Sequence, residues 1–169
     1  AYFNDCSRSA PCLIREENDG AKTGRRAIMG DKERIEFFDG IADKWDGWID
    51  LNEIRPVLFE GLKGFGVKEG ETVVDLGCGT GNLTAVLLEI LGAEGRIVSV
   101  DFSAKMIAAA AAKIKDERVS WVCAPSDELP LTDASVDKII CYSAWPHFCA
   151  PEKTARELLR TLKPGGSLF

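Results

Sequence analysis

The stretch TVVDLGCGTGNLTAVLLEI, residues 72–90, decides the fold. It begins as a short apolar run typical of a buried strand, passes through alternate glycines, and continues with the apolar spacing of an amphipathic helix. Glycine lets the backbone turn tightly and approach a ligand that a Cβ would push away. Three such glycines directly after a strand favour a ligand-binding turn over a turn that only needs positive φ.

The rest of the chain repeats this alternation of short apolar runs and helical segments. Strands are predicted at 72–76, 96–100, 119–123 and 137–142, with the opening of a fifth at 166–169. Helices are predicted between them at 82–91, 104–115 and 151–162. Strand–helix alternation implies right-handed crossovers and a parallel sheet covered on both faces. The predicted fold class is therefore a doubly wound α/β domain with a mostly parallel sheet.

The chain before this alternation divides into two parts. Residues 1–30 are polar and charged without a sustained period, which indicates an N-terminal tail or loosely packed arm. Residues 31–48 carry apolar side chains at helical spacing, and a second helix is predicted at 51–63, where Pro56 is expected to kink or split it. Residues 31–169 are interpreted as one domain.

Composition limits the function classes. The formal net charge of −6 and the lack of a basic run disfavour a nucleic-acid partner. No uninterrupted apolar segment approaches the ~18–20 residues that cross a bilayer. The beginning of the sequence lacks the basic-then-apolar pattern of a signal peptide, so a cytoplasmic location is expected.

The six cysteines are scattered and favour reduced thiols over disulfides. Cys78, Cys123 and Cys141 lie in or beside predicted strands, where a thiol packs as a small hydrophobe. Cys6 and Cys12 give weak support for zinc because no CxxC accompanies them. No metal site is predicted.

Two ligand classes compete for the glycine turn. The dinucleotide fingerprint GxGxxG, counted from Gly77, requires glycine where Asn82 stands. Asp75 lies two positions before Gly77, and a carboxylate there repels a pyrophosphate but suits a ligand with an ammonium and a sulfonium. Asp101 ends the second predicted strand, where an acidic side chain can accept both ribose hydroxyls of a nucleoside. The alternative for Asp101 is an N-cap or turn aspartate before the next helix.

The segment DLGCGTG, residues 75–81, resembles motif I of the class I S-adenosylmethionine-dependent methyltransferases. The likeness runs from about Phe37 to the end, and its pattern is similar to the small-molecule branch that includes ubiquinone/menaquinone biosynthesis methyltransferases. FFDGIADKWDGW resembles the N-terminal helix that covers the cofactor there, and LLRTLKPGGSLF is similar to the last helix and fifth strand. The resemblance implies a Rossmann-like fold, S-adenosyl-L-methionine as cofactor, S-adenosyl-L-homocysteine as product and a small-molecule substrate.

The resemblance also implies site residues. The expected cofactor contacts are Asp75, Gly77, Cys78, Gly79, Gly81, Asp101, Phe102, Met106, Ser126 and Tyr142. Within this set, Phe102 and Met106 would flank the adenine, while Ser103 caps the following helix. Pro125 stands where the family commonly has the aspartate that takes the adenine amino group, so Asp127 or water would replace it.

The loop CYSAWPHFCAP, residues 141–151, lies beside the transferred methyl group in the family. It holds His147, the single histidine, which either takes a proton from the acceptor or packs against cofactor or helix. Tyr142 is the second candidate for a catalytic role. Cys141 and Cys149 suit a thiophilic substrate, but a structural role is favoured for both.

Members of the family continue beyond the fifth strand, so the chain is expected to be truncated there, with the C-terminal part of the domain missing. A bare fifth strand is an exposed edge prone to pairing, which favours a homodimer through that edge. Three functions remain open at this point: a small-molecule methyltransferase, a non-catalytic module that binds S-adenosylmethionine, and a nicotinamide-dependent oxidoreductase.

Overall fold

The computed structural model describes residues 31–169. The expectations for the N-terminal arm, and for Cys6 and Cys12, lie outside the described residues. Among the described residues no cluster of three or more His, Cys, Asp or Glu could hold a metal ion. None of the helices in 31–169 combines the length and apolarity needed to cross a bilayer.

Five parallel strands form one sheet in the described part of the chain. They are β1 (Thr72–Leu76), β2 (Arg96–Asp101), β3 (Val119–Cys123), β4 (Val136–Ile140) and β5 (Leu162–Leu168). Their order across the sheet is β3-β2-β1-β4-β5, and every pair of neighbours is parallel. The order reverses beside β1, so a crevice is expected outside the carboxyl ends of β1 and β4. The prediction of a doubly wound parallel fold is confirmed.

Helices precede the sheet and connect its strands. They are α1 (Asp31–Ile41), α2 (Leu51–Gly64), α3 (Asn82–Leu91), α4 (Ala104–Lys113) and α5 (Pro151–Thr161), with short 3-10 helices at Ala42–Trp48 and Trp145–His147. The predicted first helix is therefore α-helical only in its first part and 3-10 in its second. Pro56 lies inside α2 without splitting it, and the helix lacks one backbone hydrogen bond at this position.

The core has two layers, one on each face of the sheet. Val73 packs with Leu58 and Leu87, on the side covered by α2 and α3. The next residue, Val74, packs with Leu158 of α5 on the opposite side. Successive strand residues point to opposite faces, so a continuous apolar run is what a sheet covered on both faces requires.

The last two strands differ from the sequence-based expectation. β4 covers 136–140 rather than 137–142, because Val136 already pairs with Leu162. β5 follows α5 directly, whereas the prediction placed only its opening at 166–169. A register shift between Val136 and Lys138 accommodates Gly165, whose φ is +83°. Glycine and proline thus mark an irregularity within an edge strand rather than a loop before it.

Candidate functional site

The glycine turn connects β1 to α3 and is fixed to the end of β2. The backbone N–H groups of Gly77 and Cys78 both donate to the carbonyl of Val100, at 2.8 and 3.0 Å. Gly77, Gly79 and Gly81 all have positive φ, at +76°, +52° and +82°. Residues with a Cβ rarely adopt this conformation, so the three glycines are required by the path of the backbone.

Two of these glycines are also points of close approach. A Cβ on Gly77 would lie 2.3 Å from the Cβ of Ala144, in the loop after β4. A Cβ on Gly81 would lie 3.2 Å from the Trp121 ring and 3.3 Å from the Cβ of Ala110. The absence of side chains therefore brings the loop after β4 against the glycine turn and lets α3 begin close to α4.

Asp101 ends β2 beside this turn, and its side chain is 7% exposed. Its Oδ2 accepts from the backbone N–H of Gly79 at 2.9 Å, and its Oδ1 accepts from that of Ser103 at 2.9 Å. A carboxylate has about four acceptor sites, so these two contacts leave acceptor capacity for a ligand. Burial raises the pKa of Asp101, against the effect of these backbone hydrogen bonds. Ser103 is the N-cap of α4 and accepts from the N–H of Met106, as expected.

A cavity of about 500 Å³ opens at the carboxyl ends of the strands. This volume lies within the roughly 300–1,000 Å³ typical of small-molecule sites. Four of the predicted cofactor residues line it, namely Gly77, Asp101, Phe102 and Ser126. Pro125 and Asp127 line it as well, and a contact of Asp127 with an adenine stays a prediction.

The cavity is also lined by Phe148, Cys149 and Ala150, which belong to the loop 141–151 that the sequence pointed to, and by Arg34 and Lys153, which the sequence did not single out. Arg34 precedes Phe38 by four residues on α1, so helical spacing puts it on the same face as Phe38, which packs against Met106 of α4. Its guanidinium lies 5.3 Å from the centroid of the Phe102 ring. Lys153 lies in the first turn of α5, where one lysine carries no signal of its own.

Asp75 lies beneath the turn rather than on the wall of the cavity. Its side chain is 1% exposed, and Oδ2 accepts from the hydroxyl of Thr84 at 2.6 Å. The same hydroxyl lies 2.8 Å from that of Ser99, so the network joins β1, α3 and β2. Burial raises the pKa of Asp75 to about 7, and the charge of Asp101 acts in the same direction. A direct contact between Asp75 and a cofactor stays a prediction.

Two further predicted contacts, Cys78 and Met106, are buried. Burial raises the pKa of Cys78 well above its usual value, which keeps this thiol neutral. Met106 is 1% exposed and packs with Phe38 and Ala42 of the N-terminal segment. Its place beside an adenine stays a prediction, as does a cofactor contact of Cys78.

The two catalytic candidates, His147 and Tyr142, belong to the loop after β4, and neither is among the residues that line the cavity. The His147 ring packs edge-to-face on Phe38, with centroids 5.4 Å apart, and its carbonyl accepts from Arg34. Burial lowers the pKa of His147, and the charge of Arg34 lowers it further. A neutral imidazole at pH 7 can accept a proton. Tyr142 is 39% exposed at the start of the same loop.

The N-terminal segment, residues 31–48, covers the turn from outside. Phe38 and Ala42 form an apolar cluster with Met106, and Trp45 and Phe102 pack against it. The Trp45 Nε1 atom would lie 3.6 Å from a Cβ on Gly79. Sequence spacing predicted the apolar face of this segment, and the structure shows that the face lies over the glycine turn and α4.

Comparison with known proteins agrees with this geometry. Residues 74–169 match the methyltransferase domain family. A ubiquinone/menaquinone biosynthesis C-methyltransferase, UbiE of Yersinia enterocolitica, is 30% identical over 169 aligned positions, which cover 93% of this chain and 66% of the relative. The chain thus spans somewhat less than two thirds of that relative's length.

Solved structures give the same result. The S-adenosylmethionine-dependent methyltransferase of Aquifex aeolicus is 27% identical with a TM-score of 0.59, over 80% of this chain and 69% of that chain. A protein from Methanococcus maripaludis, at 24% identity and a TM-score of 0.64 over 88% of this chain and 67% of that chain, shares the fold.

The family match covers the glycine turn, Asp101, the residues after β3 and the loop after β4. It favours a methyltransferase over the nicotinamide-dependent oxidoreductase, in agreement with Asn82 at the place of the third glycine of the dinucleotide fingerprint. S-adenosylmethionine is the cofactor that this family implies, and a cavity lined by Gly77 and the Asp101 carboxylate fits it. The chain belongs to the class I S-adenosylmethionine-dependent methyltransferases.

Proposed function

We propose that this protein transfers the methyl group of S-adenosylmethionine to a small-molecule acceptor. The observation that carries the proposal is the pairing of Gly77 and Asp101 on the wall of one cavity at the carboxyl ends of β1 and β2. Ligands of doubly wound sheets bind at this end of the strands. The family match supports the activity, and the geometry of the cavity supports the cofactor.

We place the ribose at Asp101, whose carboxylate retains acceptor sites beyond its two backbone contacts. The adenine then lies between Phe102 and the segment that follows β3. Pro125 offers neither an N–H nor a side-chain acceptor in that segment. Ser126 and Asp127 are the polar residues that remain there to meet the base.

Methyl transfer requires the protein mainly to align the acceptor with the methyl group and to exclude water. When bound, S-adenosylmethionine supplies a methyl group activated on a sulfonium sulfur. The loop after β4, which carries His147 and Tyr142, is held against the glycine turn through Ala144 and Gly77, and Gly77 lines the cavity. His147 is the preferred residue to take a proton from an acceptor that arrives protonated, because its lowered pKa leaves the imidazole neutral.

For the acceptor we propose carbon methylation of a small quinol-type ring. The support is the similarity to the Yersinia relative, whose name describes it as a C-methyltransferase of ubiquinone/menaquinone biosynthesis. Exposed aromatic side chains at the same end of the sheet suit a flat acceptor: Trp145 is 42% exposed and Tyr142 is 39% exposed.

A second candidate is a module that binds S-adenosylmethionine without catalysis. Pro125 favours it, because this cavity-lining residue removes a contact that the family commonly makes to the adenine. Binding of S-adenosylhomocysteine is common to both candidates, so only turnover separates them.

The test has two stages. S-adenosylhomocysteine and NAD compete for the purified chain in a binding assay, and we expect only the former to bind. S-adenosylmethionine labelled in its methyl group is then incubated with a set of phenol, quinol and amine acceptors. Label transferred to a quinol carbon supports the full proposal, and transfer to another acceptor replaces the acceptor class. Binding without transfer to any acceptor favours the non-catalytic module.

A further inference from the structure

We propose that Asp46 is a positioning residue that holds the glycine turn in its cofactor-binding shape and makes cofactor affinity depend on the N-terminal segment. The inference rests on the proposed cofactor site and concerns a residue outside it. Asp46 belongs to the 3-10 helix Ala42–Trp48. It lies 34 and 36 residues before the two turn residues that it contacts, Thr80 and Asn82.

Three donors converge on this carboxylate, two from the glycine turn and one from the end of α4. Its Oδ1 accepts from the Thr80 hydroxyl and from the Asn82 amide at 3.0 Å. Its Oδ2 accepts from the ammonium of Lys113, at the end of α4, at 2.9 Å. The same ammonium donates to Asn82 Oδ1 at 2.7 Å, so Asp46, Asn82 and Lys113 are bonded in a closed triangle.

The turn is therefore held from two sides. Asp101 binds the N–H of Gly79 from the side of the cavity. Asp46 binds the residues on either side of Gly81 from the side of the N-terminal segment. Without Asp46, the span from Thr80 to Asn82 loses its contacts to the 3-10 helix, while the Asp101 contact persists. The backbone N–H groups that face a cofactor are then less well ordered before it binds.

The triangle gives Asn82 a role. Glycine at this position would complete a dinucleotide fingerprint, but it would leave Asp46 and Lys113 without their common partner. Burial of Asp46 acts to raise its pKa, yet its hydrogen bonds to Lys113, Thr80 and Asn82 prevail and leave it lowered. The carboxylate is accordingly ionised at pH 7, as an acceptor for an ammonium requires.

Attachment of the segment itself does not depend on Asp46 alone. Asp39 accepts from the hydroxyl of Ser103 and from the backbone N–H of Lys105. Phe38 and Ala42 pack on Met106. Removal of the Asp46 carboxylate is thus expected to leave the domain folded and the segment in place, with a loosened turn.

The experiment measures the affinity of S-adenosylhomocysteine by calorimetric titration of the whole chain. We expect Asp46→Ala to weaken binding by about tenfold, a typical effect of losing hydrogen bonds to a charged group. Asp46→Asn retains an oxygen for Thr80 and Asn82 but loses the ion pair, so it should recover part of the affinity. Asp43→Asn is the matched control, because Asp43 lies exposed on the same 3-10 helix and should bind as wild type does.

A double-mutant cycle tests whether Asp46 acts through the turn. Asn82→Ala in the Asp46→Ala background should weaken binding by much less than it does in wild type. If Asp46→Ala does not fold, Lys113→Gln carries the test, and we expect a loss of two- to fivefold. The inference is overturned if a folded Asp46→Ala, or Lys113→Gln in its place, binds within the error of wild type. It is also overturned if the losses of affinity caused by Asp46→Ala and Asn82→Ala simply add in the double variant. The cofactor proposal itself is contradicted only if folded wild type does not bind S-adenosylhomocysteine.

Discussion

The backbone N–H of Gly79 donates to Oδ2 of Asp101 at 2.9 Å, which joins the glycine turn after β1 to the end of β2. The same carboxylate lines the cavity at the carboxyl end of the sheet. Asp101 thus shapes the turn, and under the proposed function it also presents acceptor sites to a nucleoside. The two alternatives considered for it from sequence, a ribose ligand or a turn aspartate, are compatible.

Gly77→Ala tests the close approach of the turn and the loop after β4. The new Cβ meets that of Ala144 and also forces alanine into a φ of +76°. Gly66→Ala is a matched control, because its φ of +74° carries the backbone strain with nothing within 4 Å of the new Cβ. We expect the control to lose about 1–2 kcal/mol in the free energy of unfolding and Gly77→Ala to lose more.

The difference is measured by urea denaturation. Ala144→Gly in the Gly77→Ala background should return the variant to the level of the Gly66→Ala control, since it removes the clash and leaves the strain. Equal losses in the two single variants would contradict the proposed clash with Ala144.

Asp75→Asn tests the buried carboxyl beneath the turn. Its pKa is raised from 3.8 to about 7 in the folded chain, chiefly by burial. The unfolded chain therefore releases the Asp75 proton at a lower pH than the folded chain does. The stabilisation that comes from protonated Asp75 is complete below the unfolded pKa of 3.8 and is lost as pH rises through the folded pKa of about 7. Wild type should lose at most about 1.4 kcal/mol of unfolding free energy per pH unit in that window relative to Asp75→Asn.

The measurement is the free energy of unfolding of both proteins at pH 5, 6 and 7. Asparagine keeps an oxygen for the hydroxyl of Thr84, so the variant preserves the shape of the site. Parallel curves for the two proteins across this range would show that Asp75 ionises normally.

His147→Gln tests the proton acceptor once an acceptor molecule is known. Burial and the charge of Arg34 lower the pKa of His147 below 6.5. The wild-type kcat/KM should rise with pH and level off with a midpoint below that value. Removal of a general base costs about 10²–10⁴-fold, and the rising limb should disappear with it.

Tyr142→Phe is the control for this loop, since it alters the second candidate and leaves the imidazole in place. In this variant kcat/KM should still rise with pH as it does in wild type. If His147→Gln keeps both the wild-type kcat/KM and its rise with pH, the role of the histidine is packing against Phe38. This packing role is the alternative that the sequence left open.

Local patterns predicted the sheet well, because buried parallel strands and the glycine turn have strong signals in adjacent residues. The run 72–76 is a strand with the predicted bounds, and Asn82–Leu91 is a helix with the predicted bounds. β5 was harder, since its Pro164 and Gly165 indicate a break when read locally, while the pairing of Leu162 with Val136 is a long-range contact.

The candidate site divides in the same way. Gly77 and Asp101 were predictable because motif spacing places them at the ends of neighbouring strands. Asp46 and Arg34 were not, because each is an ordinary charged residue of a helical segment until the chain brings it against a partner far away in sequence. The Asp46–Thr80 and Arg34–His147 contacts span 34 and 113 residues. The predicted homodimer through the β5 edge depends on a second chain and stays a prediction.

The most direct test of the central claim is calorimetric titration of S-adenosylhomocysteine into wild type, Asp101→Ala and Asp101→Asn, each shown to be folded by circular dichroism. We expect wild type to bind and both variants to bind at least about tenfold more weakly, because each loses the carboxylate proposed to accept the ribose hydroxyls. Folded wild type that does not bind, or Asp101 variants that bind as tightly as wild type, would contradict the assignment of this cavity to the cofactor.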